Sequence, residues 1–224
     1  MNSVIDKEII SWISTNRPKN KEEISQYFLD ENSLYESLIF LEPWVRNRKI
    51  LFLGDGDHIS ILLAYFFNVK AYIYDIDNDI TNSLKELSIK LDIPNQVNVF
   101  NYDARNEWND KERFDAFHIN PPFAKNNKSK GAILWLQRCL QKININGLGI
   151  CNIPTTRQRE WSSNNWFEIQ KFLSKNNCVI DSISKPFQSY ENVSPRRKIH
   201  SSIVLLHKIG ELKDNIKVPK ELYY

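Results

Sequence analysis

Glycine and proline are scarce in this chain, at six and nine of 224 residues, which excludes a fibrous or linker-rich protein. No apolar run approaches the roughly 20 residues of a membrane span. The opening MNSVIDKEII lacks the basic start and long apolar middle of a signal peptide. Cysteine is limited to Cys139, Cys151 and Cys178, which show no metal-ligand spacing and cannot all pair. The expected setting is therefore a reducing cytoplasm, with neither a metal nor a membrane as partner. His58, His118, His200 and His207 have no mutual spacing that implies a metal site or a triad. His118, inside an apolar run, reads as a packed core histidine. Neither sign of charge dominates: 30 Lys and Arg against 27 Asp and Glu leave +3, which tolerates a nucleic-acid partner without demanding one.

What is present is a soluble-type composition, 42% hydrophobic and 25% charged, enough for one large domain or one domain with an appendage. Residues 1–48 read as a short helical N-terminal cap packed on the main domain. Its apolar stripes are Ile5, Ile9, Ile10 and Ile13, then Ile24, Tyr27 and Phe28, then Leu34, Leu38 and Leu41. Asn32 or Ser33 is expected to cap the third stripe and Pro43 to end it. Residues 49–212 form the main domain and 213–224 a C-terminal tail.

Within the main domain the rhythm is that of strands and helices in alternation. Lys49–Leu53 is a wholly buried type of strand that stops at Gly54. A helix over 59–67, a strand over 70–74 and a helical stripe of Ile80, Leu84, Leu87 and Leu91 come next. Further strands are predicted at 97–100, 114–119 and 147–153, with a helix marked by Ile133, Leu134, Leu136 and Leu140. Two last strand-like runs, 178–183 and 201–206, have no helix between them and suggest an antiparallel pair at the sheet edge. The expected fold is α/β: a Rossmann-like, doubly wound, mostly parallel sheet with an antiparallel edge strand. This is the layout of class I S-adenosylmethionine-dependent transferases.

In such sheets ligands bind beyond the carboxyl ends of the strands. After the first strand comes Gly54-Asp55-Gly56-Asp57, a turn that lets a ligand approach the backbone and meet the amides of the next helix. Asp75, about 20 residues on, can accept both hydroxyls of a ribose; Asp77 lies close by, and Asp103 after the third strand falls near the expected adenine end. The third glycine of a dinucleotide fingerprint is missing. Asn120-Pro121-Pro122-Phe123, after the fourth strand, is the most informative tetrad. Two prolines stiffen the loop and remove amide donors, Asn120 adds an acceptor oxygen and Phe123 a flat apolar face. This set suits an amino nitrogen whose lone pair must face an electrophilic carbon.

The sequence resembles the branched-chain polyamine synthases, N4-bis(aminopropyl)spermidine synthases, from about Lys21 to Tyr190. The likeness lies in Ile24-Ser-Gln-Tyr, Leu53-Gly-Asp-Gly-Asp, Tyr74-Asp-Ile-Asp, Tyr102-Asp-Ala-Arg, the Pro-Pro loop, Trp166-Phe-Glu-Ile-Gln and Phe187-Gln-Ser-Tyr-Glu. The resemblance implies aminopropyl transfer from decarboxylated S-adenosylmethionine to a small-molecule amine, and a homodimer is compatible with it. Two departures touch the chemistry: the family's Gly-Asp-Asp-Asp is here Gly54-Asp55-Gly56-Asp57, and its Asp-Pro-Pro is Asn120-Pro-Pro. A polyamine is cationic near neutrality, with amine pKa values of about 10, and an amide cannot take its proton. Asn-Pro-Pro-Phe is instead the tetrad of N6-adenine-type amino methyltransferases, which use S-adenosylmethionine on nucleic acid.

Three readings are open: a polyamine aminopropyltransferase, placed first; a methyltransferase of an exocyclic amino group; and a non-catalytic binding subunit that keeps the fold. Lys125, Lys128, Lys130 and the 194–198 run can meet phosphates or be solvated loop charges. Trp161 and Trp166, with Arg157 and Arg159, can wall an acceptor pocket or pack in the core.

Overall fold

The computed structural model describes residues 5–21, 26–123, 129–155, 160–191, 199–213 and 215–219. Two helices precede the sheet. Asp6 caps α1 (Lys7–Asn16) by accepting the amide of Glu8, and Asp30 caps α2 (Glu31–Val45) by accepting that of Ser33 at 2.7 Å. The cap is thus Asp30, not Asn32 or Ser33. Nor does Pro43 end the helix, which runs on to Val45. Proline deletes one bond, to the carbonyl four residues back, and that residue, Ile39, is exposed, so water can take its place. Tyr27 and Phe28 are not helical either. Leu29 forms an antiparallel bridge with Tyr190, flanked by Glu191 N–H to the Phe28 carbonyl at 2.8 Å and Asp30 N–H to the Ser189 carbonyl at 3.1 Å. A distant segment claims the backbone that local spacing assigned to a helix. Ile24 of that stripe lies outside the described residues.

The remaining elements begin with β1 (Lys49–Leu53), α3 (Ile59–Phe67), β2 (Lys70–Asp75), α4 (Asn78–Lys90), β3 (Val97–Asn101) and β4 (Phe114–Ile119). Then come α5 (Lys130–Lys142), β5 (Ile143–Pro154), α6 (Glu160–Lys175), β6 (Cys178–Ile183) and β7 (Ser201–Lys208). The seven strands form one sheet in the order β3-β2-β1-β4-β5-β7-β6. All neighbours are parallel except those of β7, which runs antiparallel to both β5 and β6. β7 is therefore inserted one place in from the edge, and β6 is the edge strand. β5 begins at Ile143, four residues earlier than its apolar run, and its register with β4 shifts between the pairs Phe114–Ile143 and Ala116–Leu148. The strand order reverses between β1 and β4, whose last paired residues are Leu53 and Ile119.

Each face of the sheet is covered. On one, Ile50, Phe52, Ile150, Ile203 and Leu205 pack with side chains of α1 to α4. The N-terminal helices contribute Ile10, Ile13, Leu34, Leu38 and Leu41 to that same core. On the other face, Leu51, Phe117, Cys151 and Leu206 pack with α5 and α6. Trp166 belongs to this second layer, its indole N–H donating to the Pro154 carbonyl at 3.0 Å. Residues 212 and 216 lie against it too, and Ile216 N–H donates to Gln137 Oε1 at 2.6 Å. Among the described residues no helix is long and apolar enough to cross a membrane.

Candidate active site

At the reversal point the turn after β1 and the corner after β4 are joined by a hydrogen bond: Asn120 Nδ2 donates to Asp57 Oδ2 at 3.0 Å. Asp57 Oδ1 accepts the Leu29 amide at 2.6 Å. Burial raises the Asp57 carboxyl, while the Leu29 amide, the nearby Arg17 and Asn120 pull the other way. Because a carboxylate can only accept, the Asn120 amide is oriented: its nitrogen faces Asp57 and its oxygen accepts the Tyr190 hydroxyl at 3.3 Å. Tyr190 shares a second bond of 2.8 Å with Ser201 Oγ. Pro121 and Pro122 are buried and Phe123 packs partly against the second core.

The β1–β2 side is built from carboxylates that hold backbone. Asp75 Oδ2 accepts the Asp55 amide at 3.0 Å and Oδ1 the Asp77 amide at 2.9 Å, which draws the two loops together. Asp55 accepts the amides of Ile59 and Ser60 and the Ser60 hydroxyl. The first amides of α3, expected to be offered to a ligand, are thus bound within the chain. Burial raises both the Asp55 and Asp75 carboxyls. His58 adopts a left-handed backbone, with φ of 57°. Its Nδ1 lies 3.0 Å from the Gly56 carbonyl and its Nε2 2.9 Å from Ser83 Oγ; burial pushes it down to about 4. Asp77 caps α4 and is held by Lys21 at 2.8 Å and by Gln26 at 3.1 Å. Burial works against the Asp77 charge, but those two partners keep its carboxyl below the usual range.

Both glycines of the turn lie against aromatic rings of the chain itself. A Cβ on Gly54, whose φ is +70°, would collide with the Trp135 ring, and one on Gly56 with Phe28. Asp103 is paired with the guanidinium of its neighbour Arg105. Its loop is held by the buried Arg138 of α5, which donates to the Ala104 carbonyl at 3.0 Å and pairs with Glu107 at 2.7 Å. Beside it Tyr102 and Trp108 stack with ring centres 4.1 Å apart.

Residues from the chain's start and from 187–191 complete the corner. Arg17, 9% exposed, donates to the carbonyls of Leu29 and Asp57 and pairs with Glu191 at 2.8 Å. Glu191 is raised by burial, Arg17 opposes this, and Asp30, Asp57 and Glu31 add to it as like charges. The corner thus carries several carboxylates and one buried guanidinium. Nothing in spacing alone marks Arg17 or Lys21; Gln26 stands in the Ile24-Ser-Gln-Tyr run, and Tyr190 and Glu191 in the Phe187-Gln-Ser-Tyr-Glu run, that carry part of the family likeness. Lys130 opens α5, whereas Lys125, Lys128, Arg157, Arg159 and 194–198 lie outside the described residues. Among the described residues no group of three His, Cys, Asp or Glu is placed to hold a metal ion.

Comparison with known proteins agrees with this fold. The family model described as "Branched-chain polyamine synthase A C-terminal domain" matches residues 6–217. The chain belongs to that family. Among solved structures it is similar to the branched-chain polyamine synthase from Thermus thermophilus, in complex with N4-aminopropylspermidine and 5'-methylthioadenosine. That match has a TM-score of 0.83 at 18% identity over 97% of this chain and 68% of the other. The C9 mutein of that protein, with the same ligands, matches with a TM-score of 0.82 at 19% identity and the same coverage. A SAM-dependent O-methyltransferase from Thermotoga maritima matches with a TM-score of 0.59 at 14% identity, over 92% of this chain and 73% of that one. No curated protein sequence matches the chain. The fold is that of class I S-adenosylmethionine-dependent transferases, and within this family the chain is a transferase.

Proposed function

We propose that this branched-chain polyamine synthase family member transfers an aminopropyl group from decarboxylated S-adenosylmethionine to a nitrogen of an aliphatic amine. The observation that carries this reading is the 3.0 Å bond from Asn120 to Asp57. It sets a buried carboxylate at the double-proline corner, where the resemblance assigns the family's base to a position occupied here by an amide. A cationic amine gains from such a charge, and an uncharged aromatic amine needs none. Glu191, Asp30 and Glu31 extend the acidic character of the corner.

The residues present fit a nucleoside sulfonium donor. Asp75, with lone pairs left after its two backbone bonds, would hold the ribose at the Gly54-Asp55-Gly56 turn, with Asp77 capping the adjoining helix. Asp103 would face the adenine end. The bound donor supplies an electrophilic carbon on sulfur. The chain itself would keep the acceptor nitrogen beside Asn120 Oδ1, with Phe123 and the two prolines as walls. The Asp57 carboxylate, raised by burial, would take the proton that nitrogen sheds as its bond to carbon forms, the carbon–sulfur bond breaks and the nucleoside thioether leaves. Most of the rate enhancement then comes from holding the reactants in line.

A second reading, methylation of an exocyclic amino group, is favoured by the tetrad itself and by the Asn120 oxygen acting as an acceptor. Calorimetric titration separates them. Tighter binding of decarboxylated S-adenosylmethionine than of the intact form supports aminopropyl transfer. The reverse preference supports methylation, and no heat with either supports a binding subunit.

A further inference from the structure

The face of the sheet beneath the corner is apolar except at one place. His118 on β4 is 2% exposed and Asn152 on β5 is 0% exposed. Both ring nitrogens of His118 and both amide atoms of Asn152 lack a hydrogen-bond partner, as does Oε1 of the equally buried Gln188. The register brings His118 and Asn152 together on neighbouring strands and sets Gln188 two strand positions away from Asn152. His118 pairs with Ile150, so Asn152 is the next residue on that face of β5, beside Asn120. Asn152 pairs with Ile203 and Pro154 with Ser201; Ser201 bridges to Gln188, whose amide nitrogen reaches Ser37 Oγ of α2 at 3.1 Å. Asn152 is thus central, with His118 and the Asn120–Tyr190–Ser201 run around it.

A buried polar group left unpaired is costly against the marginal stability of a folded chain. Four such atoms on two neighbouring side chains point to something that bonds them. We propose that His118 and Asn152 enclose a sealed water site beneath the double-proline corner, and that its ordered waters hold the Asn120 amide and Tyr190 hydroxyl in position for the acceptor. The part about the acceptor rests on the proposed transfer. Burial pushes His118 down to about 3, so near neutrality its ring carries one donor and one acceptor. With the Asn152 amide, that inventory satisfies about two waters making two to four bonds each. His118 and Asn152 are positioning residues in this account, and His118 is not the base.

A high-resolution crystal structure of the full chain should show ordered water within hydrogen-bond distance of both side chains; a dry or closed site overturns the proposal. Asn152→Leu removes two of the unpaired atoms at similar volume. It should keep or raise the melting temperature, leave affinity for the donor that the wild type binds within about twofold, and lower kcat about tenfold. His118→Gln should retain more kcat than His118→Phe. Wild-type kcat in Asn152→Leu, or equal kcat in the two His118 variants, overturns the positioning role. Should the wild type prove to methylate, the proposed function falls, while the water peaks and the kcat of the observed reaction still decide this inference.

Discussion

The two sides of the candidate site are built on opposite terms. On the β1–β2 side, Asp55, Asp75, Asp77 and His58 are buried and each is bonded to backbone or a neighbouring side chain. On the β4–β5–β7 side, the bonded run from Asp57 to Ser201 lies over an imidazole and two amides with unpartnered atoms. On the first side every one of these carboxylates and the histidine has partners within the chain, whereas the second side keeps an imidazole and an amide with none. A turn that serves a common nucleoside part can be built in advance, while the acceptor side is where chemistry differs between relatives. One histidine on each side makes the contrast testable: His58 is bonded through both nitrogens and His118 through neither.

The largest expected effect is on stability at acid pH. Burial holds His58 at about 4 and His118 at about 3, against about 6.5 in the unfolded chain. Their neutral forms therefore contribute stability that is fully present above pH 6.5. It is lost as pH falls toward 4, where the unfolded chain binds more protons, by something on the order of several kcal/mol. Urea midpoints measured from pH 7 to 4 should fall steeply in the wild type and less steeply in His118→Phe. At pH 7 His118→Phe should be tolerated, while His58→Phe, which strips partners from Gly56 and Ser83, should destabilise. Equal behaviour of the two variants would remove the contrast.

Next is Asp57→Asn, which takes the charge from the corner and leaves the donor side untouched. Loss of this charge-assisted contact should lower kcat/KM for an amine acceptor about 100-fold, equivalent to about 2.7 kcal/mol, with donor affinity unchanged by calorimetry. Asn120→Asp sharpens the point. A second carboxyl beside Asp57 should share one proton with it, so that the variant's activity rises with pH where the wild type's is flatter.

The fold was legible because its signals are local. Apolar runs ending in Gly54, Asp75 and Asn120 mark strands buried on both faces and the loops attached to them. What escaped depends on partners far along the chain. Tyr27 and Phe28 are extended because residues 189–191 pair with their segment, and the Pro43 helix continues because its one lost bond falls where Ile39 is exposed. In the site, the acids after each strand were apparent from spacing, but their bonding was not. That Asp57 faces Asn120, that Arg17 holds Leu29, and that Trp135 and Phe28 cover the two glycines are all tertiary facts. Sequence alone suggests that the glycines make room for a ligand, and the structure adds a reason internal to the chain.

That reason carries its own expectation. Gly54→Ala combines a left-handed backbone with a collision against Trp135 and should cost about 2–4 kcal/mol by urea unfolding. Gly56→Ala meets only the edge of Phe28 and should be largely repaired by a concurrent Phe28→Leu. The smallest effect should come from Lys21→Met. The Lys21–Asp77 pair is one-third exposed at the lysine, so its loss should cost less than about 1 kcal/mol at pH 7. Even that difference should vanish as pH falls through the lowered range of Asp77, where the carboxylate is protonated with or without its partner.

The most direct measurement offers the purified chain both donors together with an aliphatic polyamine and a single-stranded oligonucleotide, and weighs the acceptors by mass spectrometry. The account expects the mass of an aminopropyl group on the polyamine, lost in Asp57→Asn. A methyl group on the oligonucleotide, or a polyamine product that survives in Asp57→Asn at the wild-type rate, would contradict it.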